Sequence, residues 1–194
     1  VRVLVACECS GVVRRAFRAR GHDAWSCDLL PPEDGQWHIQ GDVRRVLDQP
    51  WDLMIAHPPC DYLAVSGLHW NKRRPGRAEK TEEALRFVEL LLNAPIDRIA
   101  LENPVGCIST RIRKPDQIIQ PYEFGHPESK KTCLWLKGLP KLVPTHILPL
   151  PEKGYWDNQT PSGQNKLGPS PTRKQDRSRT YEGIAEAMAE QWGG

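Results

Sequence analysis

Trp51-Asp52-Leu53-Met54-Ile55-Ala56-His57-Pro58-Pro59-Cys60 is a short apolar run closed by a double proline and a cysteine. Such a run reads as a buried strand, here delivering a thiol to the rim of a pocket. Further along, Ile96-Asp97-Arg98-Ile99-Ala100-Leu101 leads into Glu102-Asn103-Pro104 and delivers a carboxyl group in the same way. Between the two lies the clearest amphipathic helix of the chain, Lys80 to Leu92, with Thr81 as its expected cap and acids in its first turn. Upstream, Val1 to Ala6 is an apolar, β-rich run. Gly11 to Arg20 has helical spacing and stops at Gly21. A second strand covers Asp23 to Asp28, Leu29 to Gly41 reads as a loop around Pro31-Pro32 and Gly35, and Asp42 to Asp48 as a helical turn. Strand and helix alternating at this spacing predict an α/β fold, a mostly parallel sheet with helices on both faces.

After residue 114 the pattern weakens under repeated prolines. Thr132 to Leu136 reads as a strand and Ile147 to Leu150 as a shorter one. Pro161 to Gln175, rich in Ser, Gly, Pro, Asn and Lys, reads as a flexible loop. Thr180 to Trp192 reads as a helix with Ile184, Met188 and Trp192 on one face, a core-packing stripe. Cys60 to Arg77 reads as a polar, basic loop long enough to be mobile, its Lys72 to Arg77 stretch placed to close over substrate as a lid, with Trp70 or His69 available to fill a vacated base stack. The expected organisation is one domain over 1–194, with a Pro-rich segment over 115–176 and a C-terminal helix over 177–194.

The chain has 194 residues, enough to bury a core, and a net charge of +3. Basic clusters at Lys72-Arg73-Arg74 with Arg77, Arg111 to Lys114, Lys130-Lys131, and Arg173 to Arg179 favour a phosphate-bearing partner. No apolar stretch has transmembrane length and no signal-peptide pattern opens the chain, so a cytoplasmic protein without a membrane partner is expected. The six cysteines lack metal-site spacing, and no metal is expected.

A thiol and a carboxyl at two strand ends can attack and protonate one electron-poor ring. That is the chemistry needed to alkylate carbon 5 of a pyrimidine, a poor nucleophile until a thiolate adds at carbon 6. Cys60 is the candidate thiol. Glu102 is the candidate partner for ring N3 and the exocyclic amine, a role that calls for a carboxyl raised by burial. Asn103 is expected to orient the loop through backbone bonds. Arg111 and Arg113 alternate, so an extended segment places both on one side, one toward the base carbonyl and the other toward a phosphate or Glu102. Each of these residues also has a plainer reading, as a buried cysteine, a cap or a surface charge.

The order of these motifs resembles the DNA cytosine-5 methyltransferase family over most of the first 113 residues, and more narrowly its short phage and prophage members. Pro58-Pro59-Cys60 with Ser66-Gly67 is similar to the nucleophile segment, Glu102-Asn103-Pro104 to the family's Glu-Asn-Val, and Arg111-Ile112-Arg113 to its Arg-x-Arg. Lys131 to Pro140 and Arg177 to Tyr181 fit the short members. The resemblance implies a Rossmann-like class I fold without a large target-recognition domain, and S-adenosylmethionine as cofactor. Its site would comprise Cys7, Glu8, Cys9, Ser10 and Gly11 in the first loop, with Glu8 on the methionine ammonium or facing solvent. It would continue through Asp28 and Leu29 at the ribose, Asp42 and Val43 at the adenine, and Pro58. The substrate it implies is DNA, double- or single-stranded, read with the help of a homodimer or an accessory specificity protein. Cys-Glu-Cys-Ser-Gly stands where the family has Phe-x-Gly-x-Gly, and Asp61 where it has Gln. Two alternatives stay open: an enzyme of the same fold acting on a free pyrimidine nucleotide or transferring another one-carbon group, and a catalytically degenerate nucleic-acid-binding module.

Overall fold

The computed structural model describes residues 1–166, 168 and 170–194. Seven strands form one sheet: β1 (Arg2–Ala6), β2 (Asp23–Asp28), β3 (His38–Gln40), β4 (Leu53–Ala56), β5 (Arg98–Pro104), β6 (Gln117–Ile119) and β7 (Thr132–Lys137). Their order across the sheet is β3-β2-β1-β4-β5-β7-β6. β1 to β5 pair in parallel, and β7 runs antiparallel to both β5 and β6. The fold is therefore Rossmann-like α/β, mostly parallel, with its strand order reversing beside β1, where such sheets open a crevice at the carboxyl ends of their strands.

Among the described residues six α-helices accompany the sheet: α1 (Val12–Ala19), α2 (Val65–Leu68), α3 (Arg77–Leu92), α4 (Ile108–Arg111), α5 (Arg173–Ser178) and α6 (Glu182–Trp192). Alternation along the strands divides the core in two. Leu4, Ala6, Met54, Ala56, Ile99 and Leu101 face α3 through Leu85, Val88 and Leu91. Val3, Val5, Leu53, Ile55 and Ala100 face α1 and α6. The stripe Ile184, Met188, Trp192 is fully in this second core, and burial of each such side chain contributes about 1.5–3 kcal/mol.

Several expectations change. His38–Gln40 is a strand inside the expected loop, because it borrows the free edge of β2. β6 forms in the proline-rich half in the same way, against β7. Ile147 to Leu150 is not a strand; the chain there makes one isolated bridge, Phe124 to His146. α3 begins at Arg77 with Gly76 as its N-cap, so Thr81 is buried inside the helix and donates from Oγ1 to the Tyr62 carbonyl at 2.8 Å. The Cys60–Arg77 segment is not an open loop. It carries α2 and a 3-10 turn (His69–Lys72), and Arg77 donates to the Asp61 carbonyl at 2.8 Å. Trp70 is covered by the Arg74 guanidinium, 4.4 Å from its ring centroid. Of the expected loop over 161–175, Leu167 and Pro169 lie outside the described residues, and Arg173 onward is helical.

Candidate active site

The parallel register sets Ala56 beside both Ala6 and Leu101, so the next residues of β4 and β5, His57 and Glu102, emerge side by side at the carboxyl edge. Alternation turns both toward the α1/α6 face. His57 Nδ1 and Glu102 Oε2 are 2.7 Å apart, and both side chains are nearly buried. Asn103 is the next residue of β5. Its amide donates to the Pro58 carbonyl at 2.9 Å, so the strand carrying the carboxyl group clamps the turn carrying the thiol. Cys60 is half-buried and opens a tight turn, its carbonyl accepting from the N–H groups of Leu63 and Ala64, both at 3.0 Å.

A glycine that the motif reading passed over completes this clamp. At Gly106 a Cβ atom would collide with the Leu63 carbonyl. Its absence lets the chain after β5 bond to the Cys60 segment through Cys107 N–H to Leu63 O at 2.9 Å and Val65 N–H to Val105 O at 3.0 Å.

Burial dominates the charge states here. It raises the Cys60 thiol, Asp61 raises it further, and Lys130 opposes them. Burial also pushes Glu102 upward, but the hydrogen bond and charge of His57 outweigh it and hold the carboxyl below its usual range. This corrects the expectation of a carboxyl raised by burial. Burial pushes His57 down, yet Glu102 wins and, with Glu8 adding, the imidazole titrates above its ordinary value.

Arg111 and Arg113 are not on one extended segment. Arg111 ends α4 and pairs with Glu82 of α3 at 2.7 Å, while Arg113 pairs with Asp116 at 2.9 Å. A helical turn separates their directions, and neither has a hydrogen bond or ion pair to Cys60 or Glu102. Lys130 is a cation whose charge acts on both groups. Lys174 of α5 reaches the neighbouring Asp61 at 2.7 Å.

The first loop bends sharply. Cys7 has φ 62 and Gly11 φ 76, both left-handed, and the N–H groups of Cys7 and Glu8 fold back on the Cys27 carbonyl at 2.7 and 3.3 Å. Burial raises both Cys7 and Cys9. Glu8 neither faces solvent nor stands free for an ammonium. It is buried and accepts from the N–H of Val13 at 2.8 Å and of Arg14 at 3.4 Å, with Ser10 Oγ at 3.3 Å, serving the exposed amides of α1. Asp42 is also engaged, accepting from Arg44 N–H and from its guanidinium at 3.0 Å each. Asp28 accepts from Leu30 N–H at 2.9 Å at the end of β2, and Leu29 beside it is 71% exposed. An acidic group at that strand end with an uncovered apolar neighbour fits a ribose and a base. At this edge Asn103 Oδ1 and His57 Nε2 are buried without a partner among the described residues.

All six cysteines are free. Among the described residues no cluster of His, Cys, Asp and Glu has the makings of a metal site, and no helix is long and apolar enough to cross a membrane.

No family model and no curated protein matches this chain. Among solved structures it is similar to a candidate DNA modification methyltransferase encoded within a prophage (E. coli), at 15% identity and a TM-score of 0.47, over 79% of this chain and 54% of that one. The chain thus spans about half the length of that solved structure.

Proposed function

We propose that the protein is an S-adenosylmethionine-dependent DNA methyltransferase that alkylates carbon 5 of cytosine through a covalent Cys60 adduct. The observation that supports this reading is the clamp: the Asn103 amide of β5 donates to the Pro58 carbonyl and so ties the turn that carries Cys60 to the strand that carries Glu102. Cys60 Sγ adds to carbon 6 while N3 is protonated, and the resulting enamine places electron density on carbon 5. The cofactor, when bound, supplies an electrophilic methyl group. Asp28 and Leu29 would hold its nucleoside, and the bend at Cys7 to Gly11 would hold its amino-acid end.

Lys130 favours the thiolate that burial opposes. Arg111 and Arg113, exposed and paired with Glu82 and Asp116, are in this reading available to DNA phosphates once those pairs open. The target base must leave the stack to reach a half-buried thiol.

The test is expression of the protein and its Cys60→Ser variant in a host lacking cytosine methylation, with host DNA digested to nucleosides and weighed. A methyl mass on cytosine that requires Cys60 is the expected result. Unmodified cytosine with the unaltered protein would sink the DNA reading.

A further inference from the structure

His57 has no part in the motifs, yet it is the hydrogen-bond partner of Glu102 at 2.7 Å. It is nearly buried, and its second ring nitrogen, Nε2, is buried with no partner among the described residues. Three charged groups act on it: Glu102 from β5, Glu8 from the loop between β1 and α1, and Lys130 from the connection between β6 and β7. Burial of the ring and Lys130 oppose a proton there, and the hydrogen bond and charge of Glu102, with Glu8 adding, outweigh them. An ionised carboxylate at the Glu102 position cannot by itself protonate a base.

We infer that His57 holds the proton destined for the ring nitrogen of the target pyrimidine and passes it through Glu102, acting as a positioning residue of the site. The inference rests on the reading of Glu102 as the carboxyl that contacts the base. The proton leaves Nδ1 of His57, crosses the Glu102 carboxylate and forms the N3–H bond. His57 ends neutral, Glu102 ends ionised as it began, and the positive charge has moved from the imidazolium to the pyrimidine. Addition of the Cys60 thiolate to carbon 6 then neutralises the ring. Once the methyl group has bonded to carbon 5, water takes the carbon 5 proton, the Sγ–C6 bond breaks with its electron pair on sulfur, and the N3 proton returns by the same route.

The resting protein is tested first, by NMR titration of ¹⁵N-histidine in the unaltered chain, Glu102→Gln and His57→Gln, the last assigning the signal. His57 is expected to titrate above its ordinary 6.5 and to fall below it in Glu102→Gln. Methyl-transfer rates on cytosine-containing DNA are then measured against pH. The unaltered enzyme should slow as pH rises through the His57 midpoint. In His57→Gln the buried Glu102 must hold the proton itself, so the falling limb moves to lower pH and the rate at pH 8 drops at least tenfold. Circular dichroism confirms that each variant is folded. A neutral His57 at pH 6.5 in the unaltered chain, or a folded His57→Gln enzyme with an unmoved profile, would overturn the inference and leave methyl transfer standing. An imidazolium seen by NMR without methyl transfer at any pH would overturn the functional reading and the relay with it.

Discussion

Asn103 is 2% exposed and ties two strand ends together through one bond to the Pro58 carbonyl. Replacing it with Ala leaves that buried carbonyl unpaired, which costs about 1–3 kcal/mol. Urea unfolding of Asn103→Ala should register this loss, and alkylation of Cys60 should quicken as its turn loosens. The His57–Glu102 pair makes a second prediction. The raised imidazole contributes stability in full below its ordinary 6.5, and that contribution is lost as pH rises through its folded value. The lowered carboxyl contributes in full above its ordinary 4.5, and that is lost as pH falls through its folded value. A double-mutant cycle with His57→Gln and Glu102→Gln should therefore give its largest coupling between these two values and a smaller one at pH 9. Cys60 and Glu102 were legible because each follows an apolar run in the chain. The pairing of His57 with Glu102 was not, since only strand register brings them together.

α1 shows how an element hides a polar core. Arg14 lies on its buried face, fully enclosed, donating to Ser26 Oγ at 2.6 Å and to Asp34. Asp34 comes from the β2–β3 loop. Burial raises its carboxyl, but Arg14 and Arg15 outweigh that and hold it low. Arg14 is enclosed while Asp34 is partly exposed, so losing the carboxylate costs about 1–3 kcal/mol. Asp34→Ala should lower the melting temperature sharply, with a smaller gap to the unaltered chain at acid pH, where Asp34 is protonated in both states. The helical period of Gly11 to Arg20 was plain in the sequence. That an arginine occupies its inner face was not, because the compensating acid sits on another element. Thr81 gives the same lesson: its hydroxyl serves the Tyr62 carbonyl, not the end of its own helix.

Across the whole molecule, the segment that carries α5 crosses the carboxyl edge of the sheet. Lys174 pairs with Asp61 next to the thiol, Arg179 with Glu33 of the β2–β3 loop at 2.9 Å, and Lys130 donates to the Arg177 carbonyl. Exposed pairs of this kind contribute only about 0–1 kcal/mol each. The double variant Lys174→Ala, Arg179→Ala should therefore melt within a few degrees of the unaltered chain while amide exchange over residues 170–180 rises. Equal exchange in both proteins would show that the segment is held by other means.

The sequence by itself determined the first five parallel-sheet positions except β3, the long helix α3, the apolar stripe of α6, and that Cys60 follows one buried strand and Glu102 another. These are local signals: apolar period, proline punctuation, and residue type at a strand end. Only the tertiary structure decided that β3 and β6 are strands, that β7 enters antiparallel beside β5, that Arg111 and Arg113 part company, and that Glu8 caps α1. Each depends on a partner distant in the chain, an unfilled sheet edge or a buried charge to be met, and residue order alone does not encode which distant group will meet it.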